Sequence, residues 1–123
     1  MTMTTLSTAA RNAACDATTA LLNGGGYVEF QTAGGAEVAK VPFATTAFGA
    51  AVAGVATANA FTPDTTTIAG TISQAFYKSS ADAIIATLTV TVDGGGGDVE
   101  LTSLTYANNE TLTLSSATHT QLA

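Results

Sequence analysis

This chain has very little reactive chemistry. Its 123 residues include one histidine, one cysteine, no tryptophan and three lysine or arginine side chains, and charged residues make up only 10% of the total. Catalytic and metal centres are built from clustered ionisable groups with tuned pKa values, and this supply leaves little to cluster. Lone Cys15 excludes an intrachain disulfide framework, so folding does not require an oxidising compartment. Arg11, Lys40 and Lys78 stand against nine acids, giving a formal net charge of −6. Nucleic acids and anionic membranes are held mainly by Lys and Arg, so neither is an expected partner. No apolar run reaches the roughly 18–20 residues that span a bilayer. Phe48–Ala60 comes nearest and is interrupted by Gly49, Gly54, Thr57 and Asn59. Met1–Ala10 has neither the basic region nor the apolar core of a signal peptide.

Alanine, threonine and glycine fill the space. Alanine supplies much of the 46% hydrophobic content, so the expected core is thin. Small cores are often completed by a neighbouring subunit, which makes a homo-oligomer the expectation. The length suits a single domain spanning residues 1–123.

Residues 6–23 read as a helix. Leu6, Ala10, Ala13, Ala17 and Leu21 recur at spacings of three and four and draw an apolar stripe, with Ala14 beside it. Thr5 or Ser7 caps the start, and Asn23-Gly24-Gly25-Gly26 marks the stop. The period then changes to two, and residues 27–118 read as a β-domain. Tyr27–Thr32, Ala36–Phe43, Val52–Phe61, Thr67–Ser79, Ala83–Val92, Val99–Tyr106 and Glu110–Leu114 are the expected strands. Pro42 ends its strand or lies on an edge, and Gly70 marks a bulge or a close backbone approach. In Ala83–Val92, Leu88, Val90 and Val92 share one face, and Asp93-(Gly)4-Asp98 is the hairpin connection. The fold class is therefore mainly β: one N-terminal α-helix followed by a single antiparallel β-sandwich or small barrel of about seven strands.

Each reactive residue has an ordinary reading. His119 has no second histidine and only Glu110 as a nearby acid, too few ligands for a metal. Cys15 lies next to Asp16, which disfavours its thiolate, and reads as a small buried helix residue. The runs Gly24–Gly26, Gly34-Gly35 and Gly94–Gly97 lack the phosphate-loop pattern and open no helix, so they read as turns. Asp93 and Asp98, even with Glu100, give too few oxygens for an EF-hand; a weak calcium site is the alternative to a hairpin tip. A serine–Asp82–His119 triad lacks a nucleophile elbow. Tyr27, Phe76, Tyr77 and Tyr106 are read as core or subunit-contact residues, with sugar stacking as the alternative. No catalytic residue, cofactor or metal is expected.

Ala47-Phe48-Gly49-Ala50-Ala51-Val52-Ala53-Gly54-Val55-Ala56-Thr57-Ala58-Asn59-Ala60 is similar to a segment of a group of small tailed-phage proteins. In that group a leader like Leu6-Ser-Thr-Ala-Ala-Arg-Asn-Ala13 forms an opening helix, and Thr-rich strands follow. Gly70–Tyr77 also resembles a later segment of the group, without its tryptophan. The resemblance implies a non-enzymatic virion structural protein. A head decoration or cement protein on the capsid surface, partnered by the major capsid protein and commonly trimeric, fits the composition best. A tail or tail-fibre module touching host glycans is the alternative. Met1, Thr2, Met3, Thr4, Thr5 and Leu6 are the candidate partner-binding residues: they precede the helix, carry no side-chain charge and form an arm over 1–5.

Overall fold

The computed structural model describes residues 5–121. Helix α1 (Thr8–Ala20) precedes ten short strands: β1 (Tyr27–Gln31), β2 (Glu37–Pro42), β3 (Val55–Thr57), β4 (Gly70–Thr71), β5 (Gln74–Lys78), β6 (Ile84–Leu88), β7 (Val90–Val92), β8 (Val99–Leu101), β9 (Thr105–Tyr106) and β10 (Thr118–Thr120). The fold is mainly β with an N-terminal helix. It is not the barrel offered as one alternative. Four strands form an antiparallel sheet in the order β2-β1-β5-β6, and the rest form the two-stranded ribbons β3–β10, β4–β9 and β7–β8.

The strand count exceeds seven because three expected strands break in two and β10 lies beyond the last expected strand, while one expected strand is lost. Thr67–Ser79 becomes β4 and β5, and Ala83–Val92 becomes β6 and β7. Val99–Tyr106 becomes β8 and β9. Val52–Phe61 keeps only the three residues of β3 plus isolated bridges, and Glu110–Leu114 keeps one bridge, Asp64 to Leu112. Gly70 marks a close approach: a Cβ there would lie 3.0 Å from Thr32 Cγ2 and 3.1 Å from Val38 Cγ2. Pro42 both ends β2 and lies on an edge strand.

The helix is shorter than 6–23 and faces the other way. Ser7 caps it, its Oγ accepting from Ala10 N at 3.1 Å. Cys15, Thr19 and Leu22 are buried, while Ala10, Ala13, Ala17 and Leu21, most of the expected apolar stripe, are exposed, Leu21 at 58%. The reason lies in the neighbouring chain. Residues 47–54 run past the helix with few ladder partners, and two polar helix side chains, with Asn23 just beyond the helix, supply what is missing. Asn12 Oδ1 accepts from Gly54 N, Asp16 Oδ1 from Ala51 N and Asn23 Oδ1 from Ala47 N, each at 2.8 Å. A buried backbone N–H without a partner costs about 1–3 kcal/mol, so hydrogen bonding decides which side faces in.

One contiguous core joins these parts. Val28, Phe30, Val41, Ala75 and Tyr77 point inward from the sheet. Phe43, Phe48, Phe61 and Tyr77 form an aromatic cluster with ring centroids 5.1–5.7 Å apart. Tyr77 also donates its hydroxyl to Thr118 O at 2.9 Å, tying the sheet to β10.

The two edges of the sheet differ. The β2 edge is occupied: Thr62 N donates to Pro42 O and Ile68 N to Val38 O, while Lys40 N donates to Asp64 Oδ2. The β6 edge has no backbone partner other than β5 among the described residues.

The Asp93–Asp98 connection is not a hairpin. β7 and β8 are parallel, with Val90 opposite Val99 and Val92 opposite Leu101. Parallel neighbours usually need a crossover of a dozen residues; here four glycines fold the chain back over Thr91. Gly94 and Gly96 adopt φ of 86° and 82°, which L side chains rarely take. Their N–H groups donate to the Glu100 carboxylate, and Gly97 N donates to Thr91 Oγ1 at 3.0 Å. This return leaves Val92 exposed, against the expected inward face. A Cβ on Gly95 would lie 2.6 Å from Thr91 Cβ, whereas one on Gly34 would meet nothing nearer than 3.9 Å. Gly95→Ala is expected to cost about 1–3 kcal/mol by overpacking, and Gly34→Ala to stay within about 0.5 kcal/mol of the parent, both read from urea denaturation midpoints.

Candidate functional site

The charged residues that gather are on the outer face of the four-stranded sheet. Alternation along β1 sends Val28 and Phe30 inward and Tyr27, Glu29 and Gln31 outward. Register places Lys40 of β2 and Phe76 of β5 on either side of Glu29, and Lys78 opposite Tyr27. Glu29 is only 5% exposed and Lys78 only 9%. Their ion pair is 2.9 Å long, and Lys40 reaches Glu29 at 3.7 Å and Glu37 at 3.5 Å. Gln31 donates to Glu29 and accepts from Gln74 at 2.9 Å. Lys78 also lies 3.4 Å from Asp82, which accepts from the Tyr27 hydroxyl. Lys40 Nζ sits 4.8 Å from the centre of the Tyr27 ring.

The two lysines thus serve a closed network. The hydrogen bond to Glu29 raises the Lys78 pKa, and the bonds from Tyr27 and Lys78 lower that of Asp82. Both shifts favour the charged forms of Lys78 and Asp82. The network orders a sheet face on which half-buried Phe76 and Tyr27 stand among amides and charges.

A second surface comes from the helix. Its polar residues hold residues 47–54, so its alanine face is turned to solvent: Ala9, Ala10, Ala13, Ala17, Ala20 and Leu21 are exposed, and so is Val52 of the braced segment.

The other sequence candidates are scattered. Cys15 is buried where the helix meets β3 and β10, its thiol donating to His119 O at 3.5 Å. Burial, with Asp16 adding to it, raises its pKa, the opposite of an activated thiol. His119 lies on β10 opposite Ala56, and its Nε2 is buried without a hydrogen-bond partner among the described residues. Asp82 bonds to Tyr27 and Lys78 of the sheet network and makes no hydrogen bond to His119 among the described residues. Glu100 and Asp98 spend carboxylate oxygens on backbone N–H groups, Asp98 accepting from Thr89 N at 2.9 Å. No group of three or more His, Cys, Asp or Glu suited to a metal occurs among the described residues. Tyr77 and Tyr106 are buried, which removes them from any sugar-stacking surface. Of the proposed arm, Met1–Thr4 lie outside the described residues; Thr5 is exposed and Leu6 half-buried. No helix among the described residues is long and apolar enough to cross a membrane.

The roles of Asn12, Asp16, Asn23, Glu29 and Lys78 escaped the sequence reading. Asn12, Asp16 and Asn23 are spaced by four and seven, a one-face helical pattern, and that was the available signal. No family model, curated protein or solved structure matches this chain.

His119 makes the acid response testable. Burial lowers its pKa below the ordinary 6.5, so the folded state favours the neutral ring. The unfolded chain then takes up the proton first, and stability present above pH 6.5 is lost as pH falls from there toward the depressed folded value. Melting temperature should therefore decline below pH 6.5 in the parent. His119→Phe should be flat in that window and decline only further into acid, where Asp82 protonates.

Proposed function

We propose that this chain is a non-enzymatic assembly protein of a tailed-phage virion, most simply a decoration or cement protein that binds the outer head lattice and stabilises it. The observation that carries the reading joins sequence to geometry. The helix that carries the Leu6–Ala13 leader packs against Phe48–Ala60, the stretch most similar to the phage group, with Asn12 holding Gly54 and Asp16 holding Ala51. Asn12, Ala51 and Gly54 of the brace thus fall in the segments that carry the resemblance, and the helix turns an alanine-rich face outward. Such a face suits a lattice protein, whose attachment is shared over many copies and needs no reactive group. The major capsid protein is the partner this role requires, and a trimer is the assembly it favours.

The second reading is a tail module contacting host glycans. Tyr27 and Phe76 favour it, standing on the same outer sheet face with Gln31, Gln74 and Glu29 around them.

Copy number separates the two. A mass-spectrometric ratio to the major capsid protein near one in purified particles is the expected result. A handful of copies would move the protein to the tail, and absence from particles would remove the virion reading.

A further inference from the structure

We infer that the free edge of β6 and the groove beside it form an acceptor site for an extended polypeptide segment that adds a strand to the sheet and carries a basic residue at one end. This does not depend on the virion assignment.

Three independent features converge. The first is the edge. Ile84-Ile85-Ala86-Thr87-Leu88 is uncharged, contains no proline, and among the described residues bonds through its backbone only to β5. Exposed edges of this kind are normally blunted by charge, proline or cover. This chain covers its other edge with Thr62, Asp64 and Ile68, so the contrast lies within one sheet.

The second is space beside the edge. A groove of about 260 Å³ runs between Ala86, Thr87 and Leu88 on one side and Thr118, His119 and Thr120 on the other. His119 lines this region, and its Nε2 is buried without a hydrogen-bond partner among the described residues.

The third is charge. The groove continues into a second recess of about 270 Å³, the two sharing Asp98 and Thr118. Asp93, Asp98 and Glu100 line that recess, and none of them is ion-paired among the described residues. Asp98 and Glu100 use part of their capacity on backbone N–H groups, whereas Asp93 makes no side-chain hydrogen bond among the described residues. A lysine or arginine is the complement. The occupant is thus a strand with a cationic end, bound by backbone hydrogen bonds for affinity and by the acidic recess for orientation.

The test uses the full chain and three synthetic peptides, and reads hydrogen exchange of the Ile84–Leu88 amides. Acetyl-Thr-Val-Thr-Val-Lys-Lys-amide should slow exchange there in a saturable way. The same peptide N-methylated at alternate residues should not, because it has lost its donors. A Glu-Glu version should bind more weakly, and Asp93→Asn should weaken the Lys-Lys peptide about two- to fivefold, the effect of one exposed ion pair. Three results would overturn the inference. The first is no protection by the Lys-Lys peptide, and the second is equal protection by the Glu-Glu peptide. The third is protection that rises with protein concentration alone, which would make a second copy the occupant.

Discussion

The structure depends on one exchange of hydrogen bonds. Residues 47–54 are rich in alanine and glycine, and beyond buried Phe48 they have little side-chain area with which to hold their own place. Asn12, Asp16 and Asn23 hold it for them by accepting from Gly54, Ala51 and Ala47. Each bond is worth about 0.5–1.5 kcal/mol net, and the larger consequence is positional. The helix is rotated so that Cys15, Thr19 and Leu22 face inward, half-buried Asn12 and exposed Asp16 reach residues 51–54 at the margin, and alanines face out. Glycine is required where the two meet: Gly54 has φ 79°, and a Cβ there would lie 3.0 Å from Gln121 O and 3.5 Å from Arg11 Cβ.

Everything packed on the brace follows from it. Phe48 is carried into the aromatic cluster with Phe43 and Tyr77, and Ala56 of β3 is fully buried beneath the helix. β10 then closes the chain against β3, where the thiol of Cys15 meets His119 O. The sheet contributes a different kind of order. Breaking a buried ion pair by removing one partner typically costs about 3–5 kcal/mol, so Glu29 and Lys78 bind β1 and β5 to a single arrangement of the outer face. The chain's two lysines are therefore committed to its own sheet network, and the surfaces left for partners are apolar, amide-rich or acidic.

Part of this was legible in the sequence. A helix near the N-terminus, a change to period two at Tyr27, the inward Val28 and Phe30, and the edge role of Pro42 all follow from spacing and backbone chemistry. Threonine-rich alternation identified the β class, although threonine is tolerated on both sides of a break, so the splits at Ser73, Thr89 and Thr102–Leu104 left no mark in the pattern. The helix face was misread because alanine stripes carry little hydrophobic information, and three polar residues outweighed them. The parallel return at Asp93–Asp98 was hidden for a related reason. Four glycines signal a turn without fixing its direction, and Thr91, Asp98 and Glu100 fix it through backbone contacts that no local rule describes. The charged sheet face needed the register of β1, β2 and β5, which long-range pairing alone supplies.

The most direct test of the brace is native-state hydrogen exchange at Ala47, Ala51 and Gly54 in the parent and in Asp16→Ala and Asn12→Ala. The account predicts that Asp16→Ala accelerates exchange at Ala51 and Asn12→Ala at Gly54, each spreading to β3 and β10 while β1 and β5 remain protected. Unchanged protection at Ala51 and Gly54 in both variants would show that the segment holds itself, and would contradict the account.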